Sequence, residues 1–189
     1  VLGLYAPADG SVRIDGIDLN QIDPVDLRRN FGYVPQDIML FAGTMRDNIV
    51  VGSPQTEDPR LVKVATMAGL SDLVNRHPQG FDMQVGERGA SLSGGQRQAV
   101  AVARSMIHNP SIMILDEPTA SMDNASEEHI KKMLSEYVKN KTMLVVTHKM
   151  SLLSLVDRII VMDSGRIVAD GPKESVLDAL KQGRLQVQR

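Results

Sequence analysis

Two adjacent carboxylates, Asp116 and Glu117, close the apolar run 112–115. In open α/β sheets ligands collect beyond the carboxyl ends of the strands, so a strand ending this way carries both acids to a binding edge. An aspartate there can take Mg2+ beside a phosphate, and the glutamate next to it can polarise an attacking water. His148 stands at the end of a second apolar run, "TMLVVTH" (142–148), where an imidazole can hold a phosphate oxygen as charge develops on it. An ordinary acidic strand-to-loop junction would also read as Asp-Glu. Farther upstream, "SLSGGQ" (91–96) sets Ser93, Gly94, Gly95 and Gln96 directly before a helical pattern. Backbone N–H groups at the positive end of a helix dipole make an anion site without any lysine. Ser93 adds a hydroxyl donor, and the two glycines allow close backbone approach. A plain glycine-rich connector would have the same letters. Gln36, in "VPQD", could reach a metal or a water, and alone it is only a loop glutamine.

These residues need elements to hold them. "SVRIDGIDL" (11–19) alternates about Asp15-Gly16, which predicts a hairpin turn, and "FGYVPQD" (31–37) predicts a short strand running into a loop. Leu61, Val64, Ala65 and Ala68 share a helical period, predicting an amphipathic helix over 58–74. Ala99, Val102, Ala103 and Met106 predict a second helix, ending near His108-Asn109-Pro110. "SIMILDE" (111–117) and "TMLVVTH" read as strands of a parallel sheet buried on both faces. Between them Ile130, Met133, Leu134, Tyr137 and Val138 mark one helix face, with Glu127/Lys131 and Glu128/Lys132 four apart on the other. "DRIIVMDSGRIVADG" predicts a hairpin turning at Ser164-Gly165. Strand–helix–strand alternation over 111–148 argues an α/β core, and the mainly helical stretch 50–108 before it argues a subdomain.

The 189 residues, 42% hydrophobic, suffice for one domain with a subdomain. A net charge of −2 gives no support to a nucleic-acid partner held by bulk electrostatics. With no cysteine there is neither disulfide scaffold nor thiolate metal site. The longest apolar runs are strand-sized, well short of a membrane span. His77, His108 and His129 are expected at the surface, and the eleven methionines are expected to fill core gaps. "VLGLYAPADGSV" (1–12) reads as the end of a helix running into a turn, and hence as a truncated beginning.

In combination the motifs resemble the ATP-binding cassette (ABC) ATPases. Residues 92–96, "LSGGQ", match that family's signature motif; 112–117 match its Walker B strand and glutamate; Gln36 fits its Q-loop and His148 its switch histidine. The resemblance covers essentially the whole chain. It implies a RecA-like phosphate-loop NTPase core, α/β with a mainly parallel sheet, plus an α-helical subdomain: 1–36 and 109–189 in the core, 37–108 in the subdomain with the signature. It further implies ATP and Mg2+ as ligands, and a head-to-tail homodimer in which the signature loop of one cassette grips the γ-phosphate held by the other. The roles implied are Asp116 on Mg2+, Glu117 on the lytic water, Gln36 sensing the metal, His148 on the γ-phosphate, and Ser93, Gly94, Gly95, Gln96 and Asp123 at the nucleotide.

No Gly-Lys pair occurs in the chain, so the phosphate loop G-x-x-x-x-G-K-[ST] is expected upstream of Val1, and this stretch alone is expected to be inactive. "QDIMLFAGTMRDNI" (36–49) and "VGERG" (85–89) look like exporter cassettes, and the segment 147–177 is similar to haemolysin-type and adhesin exporters of bacterial type I secretion. That implies a transmembrane domain as partner, an exported polypeptide as cargo, and a place at the cytoplasmic face of the inner membrane. Ala120 stands where the family usually has serine, whereas Asp123 keeps its place. The rivals are a soluble ABC ATPase of DNA repair or translation, and a catalytically silent cassette that only pairs with an active one.

Overall fold

Asp15 and Gly16 both adopt positive φ (50° and 81°), the backbone of a two-residue hairpin turn, and so join β1 (Arg13–Ile14) to β2 (Ile17–Asp18) as the Asp-Gly pair predicts. A computed structural model describes residues 2–182. It divides the chain into two compact units, one ending at Val146 and the other starting at Thr147. Residues 2–10 form bends, with no last helical turn, and Val1 lies outside the described residues.

In the first unit, α1 (Pro24–Arg29) starts on an Asp23 cap whose side chain accepts from the N–H groups of Val25 and Asp26. Its Leu27 packs with Phe31 and Ile114, joined by Leu19 and Ile22. β3 (Phe31–Val34) leads through the Gln36 loop to α2 (Met45–Ile49), which is opened by a reciprocal capping box of Thr44 and Asp47. Two helices, α3 (Asp58–Met67) and α4 (Ser71–Arg76), replace the single helix expected over 58–74. Gly69 breaks it at φ 80°. The Leu70 N–H bonds the Ala65 carbonyl at 2.9 Å and the Gly69 N–H bonds Thr66 at 3.0 Å. This left-handed helix ending satisfies the terminal carbonyls and buries Leu70.

α5 (Gly94–Met106) is buried over most of its circumference and packs on β3, α2 and α3. Among the described residues Arg104, near its end, has no carboxylate partner. Its guanidinium donates to the carbonyls of Asn48 (2.7 Å) and Met39 (3.1 Å) and to Asn48 Oδ1 (3.3 Å), and lies 5.8 Å from the Phe41 ring centre. The segment 39–48 is thereby tied to α5. β4 (Ile112–Asp116), α6 (Asn124–Tyr137) and β5 (Thr142–Val146) complete the unit. The strands lie parallel in the order β3-β4-β5, with Val34 opposite Leu115 and Asp116 opposite Val146. β4 is buried as expected, but β5 is not: Leu144 and Val146 are 42% and 52% exposed on one face. On α6, Lys131 pairs with Glu128 at 2.7 Å, three residues away, while Glu127 accepts a bond from Thr119 Oγ1 at 3.2 Å. Lys131 thus takes Glu128, three residues away, in place of the expected partner four away.

The second unit holds a two-turn 3-10 segment (150–155), the antiparallel pair β6 (Arg158–Asp163) and β7 (Arg166–Pro172), and α7 (Lys173–Lys181). Ser164 (φ 49°) and Gly165 (φ 76°) make the expected turn, and Arg158 grips Asp170 across the strands at 2.7 and 2.6 Å. Met45, Met83, Met106, Met113 and Met133 are core residues, whereas Met39, Met150 and Met162 are exposed. Among the described residues no helix is long and apolar enough to cross a membrane.

Candidate functional site

The parallel register decides which side chains leave the sheet together. With Val34 opposite Leu115, the Gln36 loop and the Asp116-Glu117 pair emerge at the same carboxyl edge. Asp116 is half-buried and Gln36 exposed. Glu117 is 7% exposed and has φ 46°, a left-handed conformation that costs a side-chain-bearing residue roughly 1–2 kcal/mol. Several bonds hold it there. Its N–H donates to the Val146 carbonyl (2.9 Å), and its own carbonyl accepts from the Ala120 N–H (3.1 Å) and from Gln98 Nε2 (2.8 Å).

The glycine-rich loop enters α5 through a capping box. Ser93 Oγ accepts from the Gln96 N–H at 3.2 Å, and Gln96 Oε1 accepts from the Ser93 N–H at 2.8 Å. Serine followed three residues later by glutamine is a readable sequence signal for this cap. Gln96 therefore acts on Ser93. Among the described residues neither the Gly94 nor the Gly95 N–H finds an acceptor, so both stand as open donors in the first turn. Gly94 packs tightly on the turn below, since a Cβ there would lie 3.0 Å from Ser121 Cβ, whereas one on Gly95 would meet the Ser121 carbonyl oxygen at an ordinary contact distance of 3.4 Å.

Asp123 caps α6, accepting from the Ser126 N–H (2.8 Å) and Ser126 Oγ (3.2 Å). The Ser126 backbone and hydroxyl bonds hold its carboxyl below the usual aspartate range. Because the folded form favours the carboxylate, its stabilisation is whole above the ordinary value of about 3.9 and fades as pH falls through the lower folded value. We expect Asp123→Asn, an equally good cap, to keep stability at pH 7 and to lose less of it at pH 3 than the parent. Denaturant midpoints at the two pH values check this; identical acid sensitivity would contradict it.

Ser93, Gly95, Gln96 and Asp123, with Arg76 and His129, line an open cleft of about 860 Å³. His129 is exposed and bonds the Met67 carbonyl through Nε2 at 3.0 Å; His108 is exposed, and His77 is half-buried. In the "VGERG" segment Val85 is buried, while Glu87 and Arg88 are exposed. His148 is exposed and belongs to the second unit. Of the sequence-predicted residues, the first unit thus gathers Gln36, Asp116 and Glu117 at one sheet edge, and Ser93, Gly95, Gln96 and Asp123 around one cleft. Gln98 and Ser121 were not foreseen. The signal for Gln98 is a polar residue on the apolar face it shares with Ala101, Val102 and Ser105.

A parallel α/β core ending in paired acids, with a glycine-opened helix beside it, defines a nucleotide-binding domain. The chain belongs to the ABC transporter family, whose profile matches residues 1–120. It is 40% identical over 173 residues to the toxin RTX-I translocation ATP-binding protein of Actinobacillus pleuropneumoniae, covering 92% of this chain and 24% of that one. To multidrug resistance protein 1 of Entamoeba histolytica it is 37% identical over 177 residues, covering 92% and 14%. A solved bacterial Atm1-family ABC exporter with ATP bound superposes with a TM-score of 0.91 at 34% identity, covering 97% of this chain and 33% of the other. The chain spans a third or less of the length of these relatives. Its fold is that of an ABC exporter's ATP-binding domain.

Proposed function

We propose that the chain is the ATP-hydrolysing domain of a homodimeric exporter of polypeptides, of the type I secretion kind, at the cytoplasmic face of a bacterial inner membrane. The observation that carries this reading is the open, lysine-free end of α5, where two glycine N–H groups and the Ser93 hydroxyl are left for an anion. Such an end suits a phosphate whose other contacts come from a second cassette. Ser93, Gly94, Gly95 and Asp123 close on the partner's nucleotide head to tail, with Gln96 acting through Ser93. Glu117 orients or deprotonates the lytic water, His148 holds the γ-phosphate, and Gln36 reports on the metal to a transmembrane domain.

The donor set fits Mg2+. Among the described residues no three His, Cys, Asp or Glu cluster as a metal cage, and one half-buried carboxylate (Asp116) with one amide oxygen (Gln36) suits an ion that keeps waters and takes phosphate oxygens. When bound, it neutralises charge on the β- and γ-phosphates. The chain's own contribution is positioning and charge stabilisation, which a site completed by dimer closure supplies. The core is read as 1–36 and 109–189, the helical subdomain as 37–108. Lacking a Gly-Lys pair, this stretch by itself is expected not to hydrolyse ATP.

Likeness to the toxin-translocation protein supports polypeptide cargo, and likeness to the multidrug resistance protein supports a small-molecule exporter as the second reading. Deleting the gene should remove a large polypeptide from the culture medium and leave drug susceptibility unchanged. The reverse pattern would replace the first reading with the second.

A further inference from the structure

Gln98 is 1% exposed, and both ends of its amide are used by one short piece of chain. Nε2 donates to the Glu117 carbonyl at 2.8 Å, and Oε1 accepts from the Ser121 N–H at 3.0 Å. Reversing the amide would face donor to donor and acceptor to acceptor, so its orientation is set by its partners. The turn it spans contains the left-handed Glu117 and the Ala120 N–H···Glu117 carbonyl bond, and passes beneath Gly94 and Gly95 at Ser121. Ser93 lies five residues earlier on the same helix. A rigid helix thus connects the open donors of α5 to the backbone of the proposed catalytic glutamate.

We infer that Gln98 is a positioning residue, fixing the backbone of the 117–121 turn to α5 so that the Glu117 carboxyl is held at the angle hydrolysis needs. This rests on the reading of Glu117 as the residue acting on water. A buried polar side chain satisfied twice by one strained turn is costly to place merely for packing, since an apolar residue of like volume would fill the same space. Loss of the clamp leaves the Glu117 carbonyl its bond from Ala120 and leaves the Ser121 N–H without its acceptor, so the turn can relax without unfolding the core.

In the complete transporter, Gln98→Leu is expected to lower kcat roughly 10- to 100-fold, with KM for ATP changed by less than about twofold. On a Glu117→Gln background the same change should lower the residual rate no further, because the two act as one unit. Gln98→Met fills the same space with neither the donor to Glu117 nor the amide acceptor for Ser121; it should show the same kcat loss, and it is the variant to read if Gln98→Leu does not fold. Equal losses on both backgrounds, or a KM rise matching the kcat fall, would overturn the proposal in favour of a packing role. Undiminished turnover in Glu117→Gln alone would instead overturn the functional reading, and the proposal with it, before any Gln98 variant is measured.

Discussion

Replacing Glu117 by glutamine in the complete protein is expected to cut ATP turnover at least about 100-fold, the range lost with a general base, while the dimer still closes on ATP. The geometry gives the reason for both halves of that result. Glutamine has the shape of glutamate, and the main-chain bonds of residue 117, from its N–H to Val146 and to its carbonyl from Ala120 and Gln98, are left untouched by the substitution. The open donors of Gly94 and Gly95 and the Ser93 hydroxyl are equally unaffected, so the proposed grip on a partner's phosphate persists. The ability to take a proton from water is lost. Steady-state phosphate release and size-exclusion chromatography with ATP and Mg2+ measure the two halves. Normal turnover would remove Glu117 from the mechanism, and a monomer at saturating ATP would show that the carboxylate is needed for closure.

The largest stability effect is expected at Gly32, where β3 runs under α5. A Cβ built there would sit 2.3 Å from the Ser105 carbonyl oxygen, 2.6 Å from Met113 Sδ and 2.8 Å from Pro110 Cγ. The methionine can swing aside. The Ser105 carbonyl cannot, because it is part of the α5 backbone, and Gly32 is paired in register with Met113. Relief therefore requires prising helix from strand, and Gly32→Ala should cost about 3 kcal/mol, at the upper end of ordinary overpacking. The denaturant midpoint should fall with an unchanged slope. A midpoint within experimental error of the parent would mean that α5 and β3 separate far more easily than their packing indicates.

Most elements were legible because their signals are local. Asp15-Gly16 and Ser164-Gly165 announce their turns through the backbone angles they tolerate, and the apolar run 112–115 announces a buried strand. The split between α3 and α4 was not foreseen. The helical period of Leu61, Val64, Ala65 and Ala68 gives no reason to stop, and a glycine inside a helix costs only about 1 kcal/mol. What decides the break is the burial of Leu70 together with two carbonyl bonds, which depends on the fold around it. The exposure of β5 has a related reason: an apolar run tells what a strand could bury, not which neighbours reach it. At the candidate site, the motifs named Ser93, Asp116 and Glu117 directly, whereas Gln98 meets partners 19 and 23 residues away that no local pattern connects. His148 was legible as a motif residue, and its placement belongs to the second unit.

The way Arg104 is satisfied has a consequence for the ionic strength at which the molecule works. Its guanidinium is bound by carbonyl dipoles and an amide, and burial disfavours its charged form with no carboxylate among the described residues to offset this. Mobile ions screen one charge from another over about 8–10 Å in ordinary buffers, but they do little to a desolvated charge resting on dipoles at contact distance. The exposed Arg158–Asp170 pair should therefore loosen as salt is added, while the tether between α5 and the segment 39–48 keeps its strength. In brine the domain would lose surface attractions well before it lost the link between α5 and the segment 39–48.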